Sequence, residues 1–427
     1  MWKFYAMAKL TFLGSCREIG RSAFCLEEHG ESVLVDQGVK FVDNPVFPDR
    51  ISATGLQGVA LTHAHLDHSG GIPLILSRND VSLFCTPATR DLSTLLVEDM
   101  FQIAKARLPF AHKDIALVHR RCQSTSYEET IPLGREFELT LFNAGHIPGS
   151  AMVSVRANGK RILFTGDFNS IETQLNAGAR KNLPKHDIVV TESTYSQRLN
   201  AKREEIEAEF IQSVLEALER GGTVLIPAFA VGRSQEIMCI FEKCNLPQKY
   251  TVYVDGLARM VNEVVAKHPG YIASPQSFER ALKRTESIVS DKDRLRAVKN
   301  GGVIISPAGM LKGGPSHMYF KMLYDDSKSS IVLVSFQIPG TPGAELLAKK
   351  KMTVGNRTYD VAADVRFHHL SSHSDSAGLM DVLEKIPGDP QFYCVHGEPD
   401  SCDALAKKLN DIGRQAHVPQ LNESIQF

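Results

Sequence analysis

Several features are missing from this sequence, and each absence excludes a class of protein. No apolar run in its 427 residues approaches the roughly 20 residues that a membrane-spanning helix requires. Residues 1–9 lack the long hydrophobic segment of a secretion signal. The eight cysteines include no C-x-x-C pair, so nothing indicates a disulfide framework. These absences predict a cytoplasmic chain with reduced thiols and no membrane partner.

The chain also lacks a strong net charge. Lys and Arg total 48 against 49 Asp and Glu, so the net charge gives no indication of a nucleic-acid partner. A neutral total can still hide a positive cleft, and several cations lie in or beside glycine-containing loops. These cations are Arg17, Arg21, Lys40, Arg233, Arg259 and Lys312. Ordinary solvated surface charge explains any one of them equally well.

Length and local texture predict two domains, the second inserted into the first. Up to about Ser196 the chain alternates short strands and turns, with one helix near Ala88–Arg107. From about Arg203 strands alternate with helices, which is typical of a parallel, doubly wound sheet. Strands return after about Thr353, with helices expected from Asp375 and from Pro399. The expected divisions are 1–202 and 353–427 for the two parts of the first domain and 203–352 for the insertion.

Polar side chains stand just beyond several apolar strands, where a sheet presents a functional site at one edge. Asp36, His63, Asp167 and Glu192 occupy such positions. The segment HAHLDH places His63, His65, Asp67 and His68 within six positions. Imidazole nitrogens and carboxylate oxygens are ligands of zinc, so one tight loop could direct four of them at a small volume. His146, Asp167 and His396 each stand beside a glycine and could complete a two-metal site.

This pattern resembles a known family over essentially the whole chain. HAHLDH, a lone His146 and Gly166-Asp167 resemble the metal signature of the metallo-β-lactamase superfamily. TESTY, HLSSHSD and VHGE, which begin at residues 191, 369 and 395, resemble motifs of the β-CASP nucleases, the branch of RNase J and the cleavage-and-polyadenylation-factor endonucleases. FLGSCREIGRSAF is closest to archaeal relatives of the latter. The implied fold is α/β: a metallo-β-lactamase αββα sandwich with an inserted doubly wound β-CASP domain.

The resemblance implies two Zn²⁺ ions. The ligands of the first would be His63, His65 and His146. The ligands of the second would be Asp67, His68 and His396. Asp167 would bridge the two ions, and Asp36 would orient ligands from behind. A lone histidine near a strand end is usually an ordinary polar side chain, so it is the ordered set that favours a metal site.

The resemblance also implies the catalytic groups. Two metal ions can activate water and stabilise charge on a phosphoryl group, with Asp67 as both ligand and catalytic residue. Cleavage further requires an acid that protonates the leaving oxygen. His373 matches that position, and Glu192 would keep it protonated. A surface ion pair or unrelated turn residues are the alternative interpretation of this pair.

Two loops are predicted to bind substrate. Ser306–Ser316 is a glycine-rich strand-to-helix turn whose amides could hold a phosphate, although such turns are common without ligands. Residues 228–235 resemble another family loop, which faces the cleft between domains. The candidate substrate-binding residues are Arg233, Lys312 and Ser316.

The predicted function is zinc-dependent hydrolysis of single-stranded RNA, with internal cleavage favoured. A 5′-3′ exoribonuclease of RNase J type uses the same metals and is an alternative. A hydrolase of a small ester or thioester and a non-catalytic RNA-binding scaffold are further alternatives. The inserted domain disfavours the hydrolase of a small ester or thioester. The complete set of catalytic positions disfavours the non-catalytic scaffold. The expected partners are single-stranded RNA and either a second copy of the chain or an RNA-processing complex.

Overall fold

The structure, a computed structural model, describes residues 7–41, 44–49 and 55–427. The chain forms two compact units. The first contains Met1–Glu172, Ala177–Leu199 and His373–Phe427, and the second contains Thr173–Asn176 and Asn200–Ser372. The structure thus divides the chain at 199/200 and 372/373. The domain limits expected from the sequence, 202/203 and 352/353, remain predictions.

The described residues form β-strands, α-helices and a few short 3-10 turns. The strands are β1 (Lys9–Phe12), β2 (Phe24–Glu28), β3 (Glu31–Val35), β4 (Lys40–Phe41), β5 (Pro45–Val46), β6 (Leu56–Ala60), β7 (Ser82–Cys85), β8 (Cys122–Ser124), β9 (Thr130–Leu133), β10 (Phe137–Asn143), β11 (Ala151–Ala157), β12 (Lys160–Phe164), β13 (Ile188–Glu192), β14 (Thr223–Pro227), β15 (Val252–Val254), β16 (Thr285–Ser287), β17 (Gly302–Ser306), β18 (Ser330–Leu333), β19 (Lys351–Val354), β20 (Arg357–Asp360), β21 (Asp364–Phe367), β22 (Gln391–Val395), β23 (Gln415–His417) and β24 (Ser424–Gln426). The α-helices are α1 (Leu66–Ser69), α2 (Ile72–Arg78), α3 (Pro87–Ala104), α4 (His112–Arg120), α5 (Arg203–Glu219), α6 (Arg233–Lys243), α7 (Leu257–Lys267), α8 (Pro275–Lys283), α9 (Asp291–Asn300), α10 (Gly314–Leu323), α11 (Pro342–Lys349), α12 (Ser376–Leu383) and α13 (Pro399–Asp411). Short 3-10 turns lie at Lys105–Arg107, Leu246–Gln248 and Pro269–Tyr271.

The first unit is a sandwich of two seven-stranded sheets. Their strand orders are β24-β1-β2-β3-β6-β7-β8 and β23-β22-β13-β12-β11-β10-β9. Alternate side chains serve opposite faces of a strand. Ile162 and Phe164 of β12 therefore enter the core between the sheets, whereas Leu163 packs beneath α12 and α13. Helices α2 and α4 cover the other sheet. This confirms the predicted αββα sandwich and explains why its central strands are apolar on both faces.

Parallel pairing brings the candidate site residues to common sheet edges. Strands β3 and β6 are parallel neighbours, and Asp36 and His63 follow their carboxyl ends. Strands β12, β13 and β22 are also parallel neighbours, and Asp167 and His396 follow the first and the third. Glu192 is the last residue of β13.

The second unit contains an all-parallel six-stranded sheet, in the order β16-β15-β17-β14-β18-β21. Helices α5 and α6 pack on one face of the sheet, and α10 and α11 pack on the other. This confirms the doubly wound sheet predicted from alternating strands and helices. Strand β21 pairs with β18, so residues 364–367 belong to this sheet.

The prediction of a single helix before residue 196 was wrong, because the structure has four α-helices among the described residues of this part. Helices α2 and α4 contain 7 and 9 residues, too few for a helical hydrophobic period to stand out from the surrounding strands. The expected helix at Ala88–Arg107 is α3 with a 3-10 turn at its end. Among the described residues, no helix has the length and apolarity needed to cross a bilayer.

Candidate metal centre

Two groups of ligand-type side chains lie side by side in the first unit. Within each group the candidate ligand atoms are all within 4.8 Å of one another. One group is His63, His65, His146 and Asp167. The other is Asp67, His68, Asp167 and His396. The structure therefore brings together the seven side chains that the sequence predicted as ligands, from stretches more than 300 residues apart.

Asp167 belongs to both groups and directs one carboxylate oxygen toward each. Its Oδ2 lies 3.5 Å from Nε2 of His63 and 3.7 Å from Nε2 of His146. Its Oδ1 lies 3.4 Å from Nε2 of His68 and 3.2 Å from Nδ1 of His396. The residue is 2% exposed and follows Gly166, which has a positive φ of 52°. This is the arrangement expected of a carboxylate shared by two cations.

Thr62 and Asp36 orient two of the histidine rings. Asp36 accepts hydrogen bonds from the Thr62 amide and from Thr62 Oγ1, both at 2.8 Å. Because the Thr62 hydroxyl proton is used in this way, His63 Nδ1 at 3.1 Å donates to Thr62 Oγ1. His68 Nδ1 lies 2.7 Å from Asp36 Oδ2 and donates to it. In both rings Nε2 is thus the atom that faces Asp167.

The buried atoms of the site fit metal ions. Among the described residues, His63 Nε2 and Asp167 Oδ1 are buried without a hydrogen-bond partner, which is costly unless a cation meets them. Burial, with His68 alongside, holds the pKa of His63 well below its ordinary value, so the ring is neutral and offers a lone pair. Zinc ligands at about 2.0–2.2 Å from the ion stand roughly 3.3–3.6 Å apart in a tetrahedral site. The observed separations of 3.1 Å between His65 and His146 and 3.3 Å between His68 and His396 are close to that range.

Backbone hydrogen bonds hold the HAHLDH loop and His396 in place. The carbonyl oxygens of Leu66, Asp67 and His68 accept from the amides of Val39, Ser22 and Gln37, at 2.8 to 2.9 Å. The His396 amide donates to Ser15 O at 2.8 Å. Ser15 Oγ and Ser22 Oγ are 2.6 Å apart, so one short loop connects the two distant ligand segments. Thr62, Ser15 and Ser22 could not be identified from the sequence, because small hydroxyl residues carry no spacing signal.

The partly buried His373 and the buried Glu192 form a pair beside the ligand groups. His373 Nδ1 lies 3.2 and 3.1 Å from the two Glu192 oxygens, and its Nε2 lies 4.0 Å from Asp167 Oδ2. Glu192 also accepts from the Phe168 amide at 2.8 Å. Burial lowers the pKa of His373, but the Glu192 and Asp167 carboxylates outweigh it and raise the pKa to about 9. The geometry is that of an imidazolium held by one nitrogen, with the other directed toward the ligand groups.

The residues predicted to bind substrate lie in the second unit. Ser316 is buried and its hydroxyl lies 3.1 Å from Ala308 O and 3.2 Å from Gly313 O, so it closes its own loop. Lys312 is exposed on the same loop. Arg233 is 6% exposed and donates to Ser372 Oγ at 3.1 Å. Their contact with a substrate therefore remains a prediction.

The loop cations near the metal site in the first unit are paired with carboxylates. Arg17 makes two hydrogen bonds to Asp403, at 3.0 and 2.8 Å. Arg21 and Lys40 both bind Glu18, at 2.5 and 2.8 Å. These pairs brace the loop that carries Ser15 and Ser22.

Comparison with known proteins supports the assignment of this site as a candidate metal centre. Three family profiles match the chain: the metallo-beta-lactamase superfamily over 17–206, the Beta-Casp domain over 234–346, and the Zn-dependent metallo-hydrolase RNA specificity domain over 358–419. A solved structure described as a protein of unknown function from Enterococcus faecalis V583 has a TM-score of 0.62 and 16% identity, and covers 99% of this chain and 100% of that one. At this identity the likeness shows the fold alone.

Similarity to curated archaeal proteins extends over nearly the whole chain. RNase aCSPSF2 of Saccharolobus solfataricus is 33% identical over 97% of this chain and 85% of its own length. Probable RNase MJ4 of Methanocaldococcus jannaschii is 31% identical over 98% of this chain and 100% of its own length. Transcription termination factor FttA of Pyrococcus abyssi is 34% identical over 98% of this chain and 71% of its own length. The chain belongs to the β-CASP family of metallo-β-lactamase-fold, metal-dependent hydrolases.

Proposed function

We propose that this protein is a zinc-dependent ribonuclease that hydrolyses phosphodiester bonds of single-stranded RNA, with internal cleavage favoured. The observation that carries the proposal is the shared carboxylate of Asp167 between two ligand groups, with the His373–Glu192 pair alongside. A hydrolase of phosphodiesters needs water activation, charge stabilisation and a proton donor, and this arrangement supplies a group for each.

Two zinc ions are the proposed cofactors. His63, His65 and His146 would hold one ion, and Asp67, His68 and His396 the other, with Asp167 between them. When bound, such a pair of ions activates water and stabilises negative charge on the reacting phosphate. Nitrogen and carboxylate donors without a thiolate are compatible with zinc, whose identity in this chain is part of the proposal.

The side chains carry the proton transfers. In this proposal Asp67 would take a proton from the attacking water, whose oxygen then forms the new bond to phosphorus. The bond from phosphorus to the leaving sugar oxygen breaks, and that oxygen receives the proton of His373 Nε2. Glu192 fixes the ring through Nδ1 and stabilises its protonated form.

RNA is proposed as the substrate because two of the similar proteins are named as RNases and one matching profile describes RNA specificity. Arg233, Lys312 and Ser316 are retained as candidate contacts with the RNA chain. All eight cysteines are free thiols, in keeping with the proposed cytoplasmic location. Assembly as a homodimer or within an RNA-processing complex also remains a proposal.

Cleavage of an end-labelled single-stranded RNA tests the proposal. Purified protein with two equivalents of zinc should yield discrete internal fragments, and Asp67→Ala or His68→Ala should abolish them while the circular dichroism spectrum is unchanged. Chelation followed by zinc should remove and restore activity. Single nucleotides released only from 5′-monophosphorylated RNA would instead identify an exonuclease. Full activity of either variant after metal removal would refute the proposal.

A further inference from the structure

The two residues that precede His373 are held by arginines. Ser371 and Ser372 are the last residues of the second unit, and His373 is the next residue of the first. Arg203 Nη1 lies 3.3 Å from Ser371 O, and Arg233 Nη2 lies 3.1 Å from Ser372 Oγ. The chain that delivers His373 is therefore anchored immediately before it.

Both arginines are fixed where their helices begin. Arg203 is the first residue of α5 and Arg233 is the first residue of α6. The guanidinium of Arg203 also binds Glu207 at 2.9 Å and Glu236 at 2.5 Å. Arg233 is 6% exposed, so it presents little surface to a polymer in solution. A buried arginine whose planar guanidinium makes a directed hydrogen bond is suited to hold a chain segment in one geometry.

Hydrogen bonds continue on the other side of His373. The Ser374 amide donates to Phe168 O at 2.8 Å, and Ser374 Oγ accepts from the Ser170 amide at 2.8 Å. Glu192 holds the His373 ring itself. Consecutive Cα atoms are about 3.8 Å apart, so a displacement at Ser372 reaches His373 through one peptide unit.

We infer that Arg233 acts as a positioning residue for His373, through its hydrogen bond to Ser372. This rests on the proposed function, in which His373 Nε2 gives its proton to the leaving sugar oxygen. Arg233 touches neither that proton nor the phosphate in this role. Its loss would leave the acid present but displaced, and misplacement of a reacting group by about 1 Å can cost roughly 100-fold in rate.

A comparison of two substrates separates positioning from binding. Single-stranded RNA leaves through a sugar oxygen that must be protonated, whereas bis(p-nitrophenyl) phosphate releases p-nitrophenolate, which departs without a proton. A defect in the acid therefore slows RNA cleavage and spares the activated diester. The variants are Arg233→Gln, Arg233→Lys and Ser372→Ala, each loaded with zinc. The control is Lys299→Gln, which also removes one positive charge but at an exposed position.

The expected result is a fall in kcat for RNA of roughly 10- to 100-fold in Arg233→Gln and Ser372→Ala, with KM within about twofold of the wild-type value. Hydrolysis of the activated diester should stay within about twofold. Arg233→Lys should recover part of the loss because its ammonium can still reach a hydroxyl acceptor. In a His373→Ala background, Arg233→Gln should cost nothing further, since the residue that it positions is already gone.

Other outcomes overturn the inference. A rise in KM for RNA in Arg233→Gln, with Ser372→Ala unaffected, would make Arg233 a phosphate-binding residue. Equal losses on both substrates would mean a general structural role. The proposed function is tested separately by His373→Ala alone: if that variant cleaves RNA at the normal rate, His373 is not the acid.

Discussion

The Asp36 carboxylate lies 2.7 Å from Nδ1 of His68, and both side chains are buried. A carboxylate accepts and does not donate, so His68 donates from Nδ1 and turns Nε2 toward Asp167 and His396. Burial lowers the pKa of His68, but Asp167 and Asp36 outweigh it and raise the pKa well above its ordinary value. A cation that binds at Nε2 therefore displaces a proton, and Asp36 retains the other.

Asp36→Asn is expected to weaken binding at the group that contains His68. The amide would direct an N–H toward either Thr62 or His68, both of which donate to Asp36 now. Loss of such a supporting carboxylate typically costs about 10- to 100-fold in metal affinity. Equilibrium dialysis with metal analysis should find zinc affinity lowered most at the group that contains His68, with a smaller effect at the His63 group, which Asp36 supports through Thr62. The exposed Asp325→Asn is the control, and unchanged affinity for both ions in Asp36→Asn would contradict the role given to Asp36.

Gly38→Ala is expected to displace the HAHLDH loop. A Cβ at this position would lie 1.7 Å from the Asp67 carbonyl oxygen, so the backbones must separate. The hydrogen bond from the Ser22 amide to that oxygen, now 2.8 Å, would be lost with it. The measurement is zinc content per chain together with the thermal midpoint, and both should fall.

Gly270→Ala provides the matched control for that substitution. A Cβ at Gly270 meets nothing within 4 Å, and the residue does not require a positive φ. Its replacement should leave zinc content unchanged and alter stability by less than about 1 kcal/mol. Equal behaviour of the two alanine variants would show that the close approach at Gly38 is unimportant.

The clustering of the candidate ligand residues could be predicted from the sequence because two independent signals coincide in them. Histidine and aspartate at strand ends beside glycine mark a sheet edge, and the order of HAHLDH, His146 and Gly166-Asp167 resembles the family signature. The sharing of Asp167 between two groups was implied by that resemblance. Which of its oxygens faces which group could be seen only in the three-dimensional structure.

The supporting contacts could not be predicted in the same way. Thr62, Ser15 and Ser22 act through single hydroxyls whose partners are set by tertiary packing. Tertiary packing also sets the partners of Glu236. Its carboxylate accepts hydrogen bonds from the amides of Gln174 and Leu175, in a segment about 60 residues earlier. The inward hydroxyl of Ser316 was missed because a glycine-rich loop looks the same in sequence whether it binds a ligand or closes on itself.

Asp255→Asn is expected to destabilise the second unit. Asp255 is fully buried after β15 and accepts from Arg294 at 2.7 and 3.0 Å and from the Tyr319 hydroxyl at 2.8 Å. Removal of one charge leaves the Arg294 guanidinium, which is 19% exposed, with the 77% exposed Asp291 as its remaining carboxylate partner. The expected cost is about 3 kcal/mol in free energy of unfolding, measured by urea denaturation.

Tyr319→Phe is the graded control for the same cluster. It removes one hydrogen bond and keeps the ion pair, so its cost should be near 1 kcal/mol. A Tyr319→Phe variant less stable than Asp255→Asn would mean that the hydrogen bond from the Tyr319 hydroxyl, and not the ion pair, dominates.

His186 is expected to make the first unit acid-sensitive. It is fully buried, donates from Nδ1 to Pro184 O at 2.8 Å and accepts at Nε2 from Ser154 Oγ at 2.9 Å. Burial lowers the pKa of His186 from 6.5 to about 4. The unfolded chain therefore binds a proton first, so stability is complete above pH 6.5 and is lost as the pH falls toward 4, by up to about 3 kcal/mol.

Urea midpoints measured between about pH 4 and pH 7 for the wild type and His186→Gln test this slope. The substitution should flatten the acid limb, whereas His119→Gln should not, because the His119 side chain is 62% exposed. An identical pH slope in wild type and His186→Gln would exclude this histidine as the source.

The pairing of β1 with β24, which places Leu10 opposite Ile425, has a consequence for synthesis on the ribosome. Strand β24 cannot pair with β1 until residue 426 has been synthesised, and a chain elongated only to residue 395 lacks one of the seven candidate ligand side chains. Truncated translation products should therefore carry no complete metal site. The proposed ribonuclease would in this way remain inert beside its own message until His396 has been synthesised.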